Sequence, residues 1–413
     1  MLRDLNLCFR RPIQNSKSII QNPAAKRRIA LCMEYPLRQW GGVEVLVKGL
    51  IAGLCEEFDV LLASDDSEES IASTEFATKI RGHFSWRADA DYREQARSLS
   101  DWLIRERVTI AHFHLGGTYA FRTRSWSQSP IPVVAAAGIP VIATNHGAFA
   151  LLDFCGPNRS LLSRLAMLPL FWLGRARTLA ALRKEITVSD NDLHNMQRWF
   201  SPFRSKFERI YHSQLSGDEP LCENREKTIL CLGTIGHRKG QPFLVEAFAR
   251  IAHQFPDWKL IVAGRQDSGV TEMEEIQRTI AGYSLAARVE LAGAVSHEEA
   301  VSLIRSCGIF AMPSRAEGLG LSLQEALFSG SPAVASRVGG IQDMVIDGET
   351  GWLAGVGDVA ELASALSEAI SNDAARARVG RAARARIIEL GMNREEMLAS
   401  HRRLYGLVSK SCE

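Results

Sequence analysis

Nowhere in this chain of 413 residues do about 20 apolar residues run together, so no transmembrane helix is expected. Neither sign of charge dominates, with 49 Lys plus Arg against 47 Asp plus Glu. That balance argues against a bulk nucleic-acid binder, and no nucleic-acid partner is expected. The eight cysteines (Cys8, Cys32, Cys55, Cys155, Cys222, Cys231, Cys307, Cys412) contain no C-x-x-C pair and no metal-ligand spacing. Several sit in apolar runs such as Ala-Leu-Cys32-Met, as buried free thiols of a reducing cytosol do. No internal repeat of fixed period is present. What remains is an ordinary globular composition, 46% apolar and 23% charged, on a chain long enough for two or three domains.

Charge is nevertheless unevenly placed. Residues 1–28 carry seven basic residues and the single acid Asp4, a net of +6. A solvated arm, a contact with anionic lipid headgroups and an Arg-rich organelle presequence all suit that composition, whereas no apolar core of a secretory signal is present. A second basic segment, residues 159–185, has six basic residues, one acid and the nine-residue apolar run 165–173. It reads either as a core helix broken at Pro169 or as a helix lying on a membrane surface.

Short β-rich runs alternate with helical patterns along the whole chain, which predicts parallel sheets covered by helices. Residues 28–33, 58–63, 108–114, 140–144 and 186–189 read as strands of a first unit. Residues 228–232, 259–263, 289–291, 309–312 and 332–335 read as strands of a second, with a helix over 240–253. The stretch 213–227 between them is polar and aperiodic. The predicted organisation is a basic arm (1–27), an N-terminal α/β domain (28–215), a linker (216–227), a C-terminal α/β domain (228–392) and a last helix (393–413). Two doubly wound units place a ligand in the cleft between them.

Three loops carry the chemistry. In PSRAEGLGLSLQEALF, Glu317 and Glu325 are separated by seven residues, with Gly318 and Gly320 after the first. Glycine lets backbone N–H groups approach an anion, and a helix expected to start near Ser322 presents its positive end and carries Glu325 in its first turn. Carboxylates accept hydrogen bonds from vicinal hydroxyls of a ribose or sugar. In CLGTIGHRKGQPF, a strand ends at Gly233 and the loop offers Arg238 and Lys239, suited to a diphosphate. In QWGGVE, Gly41 and Gly42 join the first strand to its helix and expose N–H groups to a phosphate. Asp190-Asn-Asp192 has the metal-binding D-x-D spelling, but it follows Val188-Ser189 at a helix start, where capping and first-turn roles explain it; no metal is expected. His112 and His114 (AHFHLGG) are read as lying on opposite faces of their segment, His114 towards the cleft.

At these residues the chain resembles a family: the GT-B glycosyltransferases of family 4 (glycosyl transferases group 1), which are retaining and use nucleotide sugars. GGVE at 41–44, ATNHG at 143–147, TVS at 187–189, GTIGHRKG at 233–240, the acid pair 317/325 and DGETGWL at 347–353 follow the family's order over residues 28–405. The resemblance implies an α/β GT-B architecture of two Rossmann-like domains facing a central cleft, 28–215 binding the acceptor and 228–392 the nucleotide sugar, with the last helix (393–413) returning to the first domain. It implies catalytic roles for His146, Arg238, Lys239 and Glu317. Donor contacts would come from Gly42, Gly233, Val295, Gly318, Leu319, Gly320, Leu321 and Glu325, and acceptor contacts from His114 and Asn145. Lys239 with Arg238 would neutralise the leaving diphosphate, Glu325 would hold the ribose, and Glu317 and His146 the sugar. Three positions depart from the pattern: Thr234 replaces an arginine, Leu319 an aromatic, and His212-Ser213 an Asn-Gly pair.

The implied function is transfer of a sugar from a UDP- or GDP-sugar to a hydroxyl of a lipid-linked glycan or polysaccharide precursor. It needs no cofactor, in the cytoplasm or peripherally on the inner membrane face. No carboxylate nucleophile is identifiable in the first unit, so a front-face displacement is expected. Two alternatives stand beside it: a nucleotide-sugar epimerase on the same plan, and a nucleotide-sugar-binding partner without turnover. A dehydrogenase is disfavoured because the first strand leads to Gly-Gly rather than G-x-G-x-x-G.

Overall fold

The computed structural model describes residues 26–38, 41–87, 91–115, 129–147, 160–216, 221–222, 225–267 and 271–410. Most of the basic arm, and Cys8, Cys155 and Cys412, therefore lie outside the described residues. Apolar runs form the strands. The first sheet comprises β1 (Arg27–Cys32), β2 (Phe58–Ser64), β3 (Ile80–Ser85), β4 (Ile110–Leu115), β5 (Val141–Asn145), β6 (Lys184–Thr187) and β7 (Phe207–Arg209). The second comprises β8 (Glu226–Leu232), β9 (Lys259–Ala263), β10 (Val289–Gly293), β11 (Cys307–Met312), β12 (Ala333–Ser336) and β13 (Trp352–Ala354).

Every pairing is parallel, in the orders β3-β2-β1-β4-β5-β6-β7 and β10-β9-β8-β11-β12-β13. Each sheet is thus doubly wound, and its order reverses once, between β1 and β4 in the first and between β8 and β11 in the second. Ligands bind beyond the carboxyl ends of strands at such points. The loops after β1, β8 and β11 are the three glycine-bearing loops. Apolar side chains on both faces of each sheet build separate cores, as parallel strands buried on two sides require.

The last helix, Arg394–Lys410, lies against the first sheet rather than the second. Tyr405 is fully buried there, edge-on to Phe58 at 5.8 Å and hydrogen-bonded to His112 Nδ1 at 2.8 Å. Arg402 pairs with Glu57 at 2.7 Å beside it. The basic segment forms one continuous helix, Leu161–Ala181, with Pro169 inside it. The expected break at Pro169 does not occur. A proline removes one intrahelical donor but does not end a helix whose neighbours hold it, and here Trp172 Nε1 donates to the Trp199 carbonyl at 2.9 Å while Arg175 forms a fully buried ion pair with Glu185. No helix of the described residues is long and apolar enough to cross a membrane.

Candidate functional site

The site begins with Glu317, which follows β11 and is almost fully buried. Its Oε2 accepts from Lys239 Nζ at 2.6 Å and from Ser314 Oγ at 3.3 Å. Its Oε1 lies 3.4 Å from Arg238 Nη1, which also donates to the Ala316 carbonyl at 3.1 Å. Burial alone would raise this carboxyl's pKa, but Lys239 and Arg238 more than offset that and hold it below the usual glutamate range. The carboxylate is therefore ionised at neutral pH, and two of the predicted residues arrive on it from the loop after β8. That loop turns into the helix Gln241–Ile251 at Gly240, whose φ of 65° is left-handed. A Cβ there would overlap the Pro313 carbonyl oxygen, so the two loops pack backbone to backbone.

Gly320, also left-handed at φ 89°, opens the helix Leu321–Phe328. No side chain caps this helix, so its first N–H groups have no capping acceptor. Glu325 is the fifth residue of that helix, one position beyond the expected first turn, and is half-buried. The Leu319 side chain is buried in the core that also holds Val188 and Leu323. Val295 lies past the end of the edge strand β10, two strands from β8, half-buried against the same core.

The first sheet supplies the opposite wall. Gly42 starts the helix Gly42–Leu54, and a Cβ there would sit 3.8 Å from Leu321 Cδ1. The predicted glycine and the predicted helix start thus meet across the cleft. Gly318 approaches the His146 carbonyl so closely that any Cβ would overlap it. Asn145, the last residue of β5, accepts the Gly147 N–H through Oδ1 at 3.2 Å, so that oxygen shapes its own loop.

His146 belongs to a buried cluster. Its Nε2 is 3.1 Å from His114 Nδ1, and its ring lies 5.1 Å from that of His212. His112 and His114 do not lie on opposite faces. Residues two apart in a strand share a face, and their rings are 4.3 Å apart. His401 of the last helix completes the group, 5.8 Å from His112 and 6.0 Å from His212. Burial, reinforced by the neighbouring rings, pushes His112, His114 and His212 well below the usual histidine range, His146 to about 3 and His401 to about 4. The cluster is neutral at pH 7.

Three contributors escaped the sequence reading. Arg265, after β9, faces the buried Glu44 of GGVE across the cleft and draws its pKa down, against the larger upward push of burial. A basic residue in a loop after a parallel strand is a signal of the kind that singled out Arg238, but Arg265 lacks the adjacent lysine. Gln324 Nε2 donates to the His212 carbonyl at 3.0 Å. Asp343 Oδ2 accepts the Asp190 N–H at 2.6 Å and the Tyr211 hydroxyl at 3.2 Å, fastening the second unit to the first. No local pattern marks the last two. Ser189, rather than Asp190 or Asp192, caps the helix Asp190–Trp199 by accepting the Asp192 N–H at 3.1 Å. The two aspartates occupy its first turn, with Asp190 paired to Arg209 at 3.0 Å. No group of three candidate metal ligands forms among the described residues.

Comparison with known proteins completes the description. The family model described as Glycosyltransferase Family 4 matches residues 40–212, and the one described as Glycosyl transferases group 1 matches residues 218–386. A D-inositol 3-phosphate glycosyltransferase of Corynebacterium diphtheriae is 33% identical over 159 residues, 38% of this chain and 37% of that protein. A GDP-mannose-dependent alpha-(1-6)-phosphatidylinositol monomannoside mannosyltransferase of Mycolicibacterium smegmatis is 30% identical over 41% of this chain and 43% of that protein. The matched segment thus spans less than half the length of these relatives. Among solved structures, a sucrose-phosphate synthase from Thermosynechococcus elongatus superposes with a TM-score of 0.69 at 19% identity, covering 94% of this chain and 100% of that one. The Anabaena protein HepE, crystallised with UDP-glucose, superposes with a TM-score of 0.68 at 16% identity, covering 92% and 99%. With two doubly wound units, the motif loops at their switch points and both family models matched in order, the chain belongs to the GT-B glycosyltransferases of family 4, group 1.

Proposed function

We propose that this protein transfers a sugar, with retention, from a UDP- or GDP-sugar to a hydroxyl of a lipid-linked glycan or polysaccharide precursor at a membrane surface. The observation that carries the reading is the junction of Lys239, Arg238 and Glu317 beneath an uncapped helix start that faces Gly42 across the cleft. A buried carboxylate bound to two cations holds them at one point, where a diphosphate's charge grows as it leaves. The ammonium of Lys239 has three donors and gives one to Glu317, so others remain for phosphate oxygens.

In the proposed step the bond from the anomeric carbon to the β-phosphate oxygen breaks, and a bond to the acceptor oxygen forms on the same face. The acceptor's proton passes to the departing phosphate oxygen. Lys239, Arg238 and the N–H groups at Leu321 stabilise the diphosphate charge, which is the larger part of the catalysis. Glu317 receives sugar hydroxyls, Glu325 the ribose, and His146, neutral at pH 7, serves as a hydrogen-bonding wall rather than as an acid. The nucleotide-sugar relatives support the donor class: one is named for GDP-mannose, and HepE was crystallised with UDP-glucose.

The membrane part of the reading rests on the exposed face of the helix Leu161–Ala181, described next. A thermal-shift panel of UDP, GDP and ADP tests the donor assignment. One of the first two should raise the melting temperature, because a ligand at a hundredfold excess over Kd stabilises by about 2.7 kcal/mol. No response to any nucleotide would remove the donor reading.

A further inference from the structure

The helix Leu161–Ala181 turns an unusual side outward. Leu162, Leu165, Ala166, Pro169, Leu170 and Leu173 are all exposed, at the three- and four-residue spacing of a single helical face. Leu162 is 81% exposed and Leu173 64%. Surface helices ordinarily show the reverse, with leucines inward. This helix contains no acidic residue at all, and the exposed Trp199 stands beside it, its carbonyl held by Trp172.

One turn beyond Leu173 on the same face is Arg177. It lines a cavity of about 310 Å³ together with Tyr92, Arg93, Ala96, Arg97, Ser129 and Val133. Three helices meet there, Tyr92–Arg105, Pro130–Ala136 and Leu161–Ala181. The cavity holds three guanidinium groups and no carboxylate. Arg93 and Arg97 stand at i and i+4, a like-charge spacing that destabilises a helix by a few tenths of a kcal/mol. None of the three arginine side chains has an ion-pair or hydrogen-bond partner among the described residues. Ser129 Oγ accepts from the Ile131 N–H, which leaves its own proton to donate.

Three cations and a free serine proton form a donor set with no carboxylate among the lining residues. An anion with several oxygens satisfies it, and guanidinium forks match phosphate geometry. The position of the cavity at the end of an exposed leucine face selects the source. We propose that the cavity lined by Arg93, Arg97 and Arg177 binds the phosphodiester headgroup of an anionic lipid while the leucine face beside it rests among the acyl chains. The site rests on the membrane part of the functional reading and lies outside the residues assigned to sugar transfer.

The test is co-sedimentation of the full chain with vesicles of phosphatidylcholine alone or with phosphatidylglycerol added. Three proteins are compared: wild type, Arg93→Gln/Arg97→Gln/Arg177→Gln, and Leu165→Ser/Leu170→Ser/Leu173→Ser. Retained nucleotide-induced thermal shifts show that each variant is folded. The wild type should prefer the anionic vesicles, and the arginine variant should lose that preference. Each basic residue near an anionic surface is worth about 1 kcal/mol, or roughly fivefold, so the triple change predicts a loss of about a hundredfold. The leucine variant should bind both vesicle types less well. Unchanged anionic preference in the arginine variant would overturn the headgroup site while sparing the membrane reading. A wild type that binds neither vesicle would overturn both. Binding of inorganic phosphate by the wild type, lost in the arginine variant and accompanied by no vesicle preference, would make the cavity a site for soluble phosphate and refute the lipid assignment.

Discussion

Lys239 Nζ and Glu317 Oε2 lie 2.6 Å apart, joining a cation placed by the end of β8 to a carboxylate placed by the end of β11. The two strands are neighbours at the switch point of their sheet. Removing Lys239 therefore does two things: it takes a charge from the diphosphate, and it leaves a buried carboxylate with Arg238 as its remaining cationic partner. Lys239→Ala should lower kcat by about 30- to 1,000-fold, equivalent to roughly 2–4 kcal/mol. Steady-state kinetics with the identified donor checks it. A change under about threefold, below roughly 1 kcal/mol, would assign the lysine to packing.

On the proposed reading, Arg238 supplies the charge that Thr234 lacks. Because it is tethered to the Ala316 carbonyl as well as to Glu317, it is held at the site although largely exposed. Arg238→Ala should lower kcat more than it weakens donor binding, by about tenfold against threefold, since the charge it meets grows towards the transition state. A weakened Kd with kcat unchanged would show ground-state binding only.

Glu325→Ala should weaken nucleotide binding itself by about 1.5–3 kcal/mol, the range for a hydrogen bond to a charged group. Calorimetric titration of the nucleotide alone reads this directly. Unchanged affinity in a folded variant would remove the ribose role.

The histidine cluster makes stability depend on pH. Its members are neutral in the fold and have lowered pKa values, whereas an unfolded histidine protonates near 6.5. Their contribution is complete above about pH 6.5 and is lost as pH falls towards the folded values of about 4 and 3. At pH 5 each such group should cost about 2 kcal/mol relative to pH 7.5. Urea unfolding across this range should show that loss, with a shallower slope in His401→Leu. A flat profile would mean that the cluster is hydrated.

Strands rich in buried aliphatics were legible in the sequence almost to the residue. The reading of 259–263 is β9 itself, and 228–232 falls within β8. The sequence did not disclose β3, β7 or β13. Residues 80–85 read IRGHFS and are largely half-exposed, and the other two strands have three residues each at sheet edges. β3 and β7 bury less and so imprint less on composition, whereas β13 is buried but too short to show a pattern. Local loops announced Lys239, Glu317 and Gly42, because glycine and charge at strand ends are readable one residue at a time. The Asp343 latch and the His401 contact join segments more than 150 residues apart, and no spacing rule reaches that far. The exposed leucine face was half legible: the apolar run and its basic flanks stood out, but which side faced outward depends on how the helix packs.

The central claim is sugar transfer with retention, and its most direct measurement is the fate of a labelled donor. The protein is incubated with labelled UDP- or GDP-sugar and a membrane lipid extract, and the products are separated and their anomeric configuration determined. Label should pass into a lipid-linked glycan with the donor's own configuration, only when the extract is present, and Lys239→Ala should all but abolish it. Free sugar or an epimerised nucleotide sugar released without any acceptor, or a product of inverted configuration, would contradict the account.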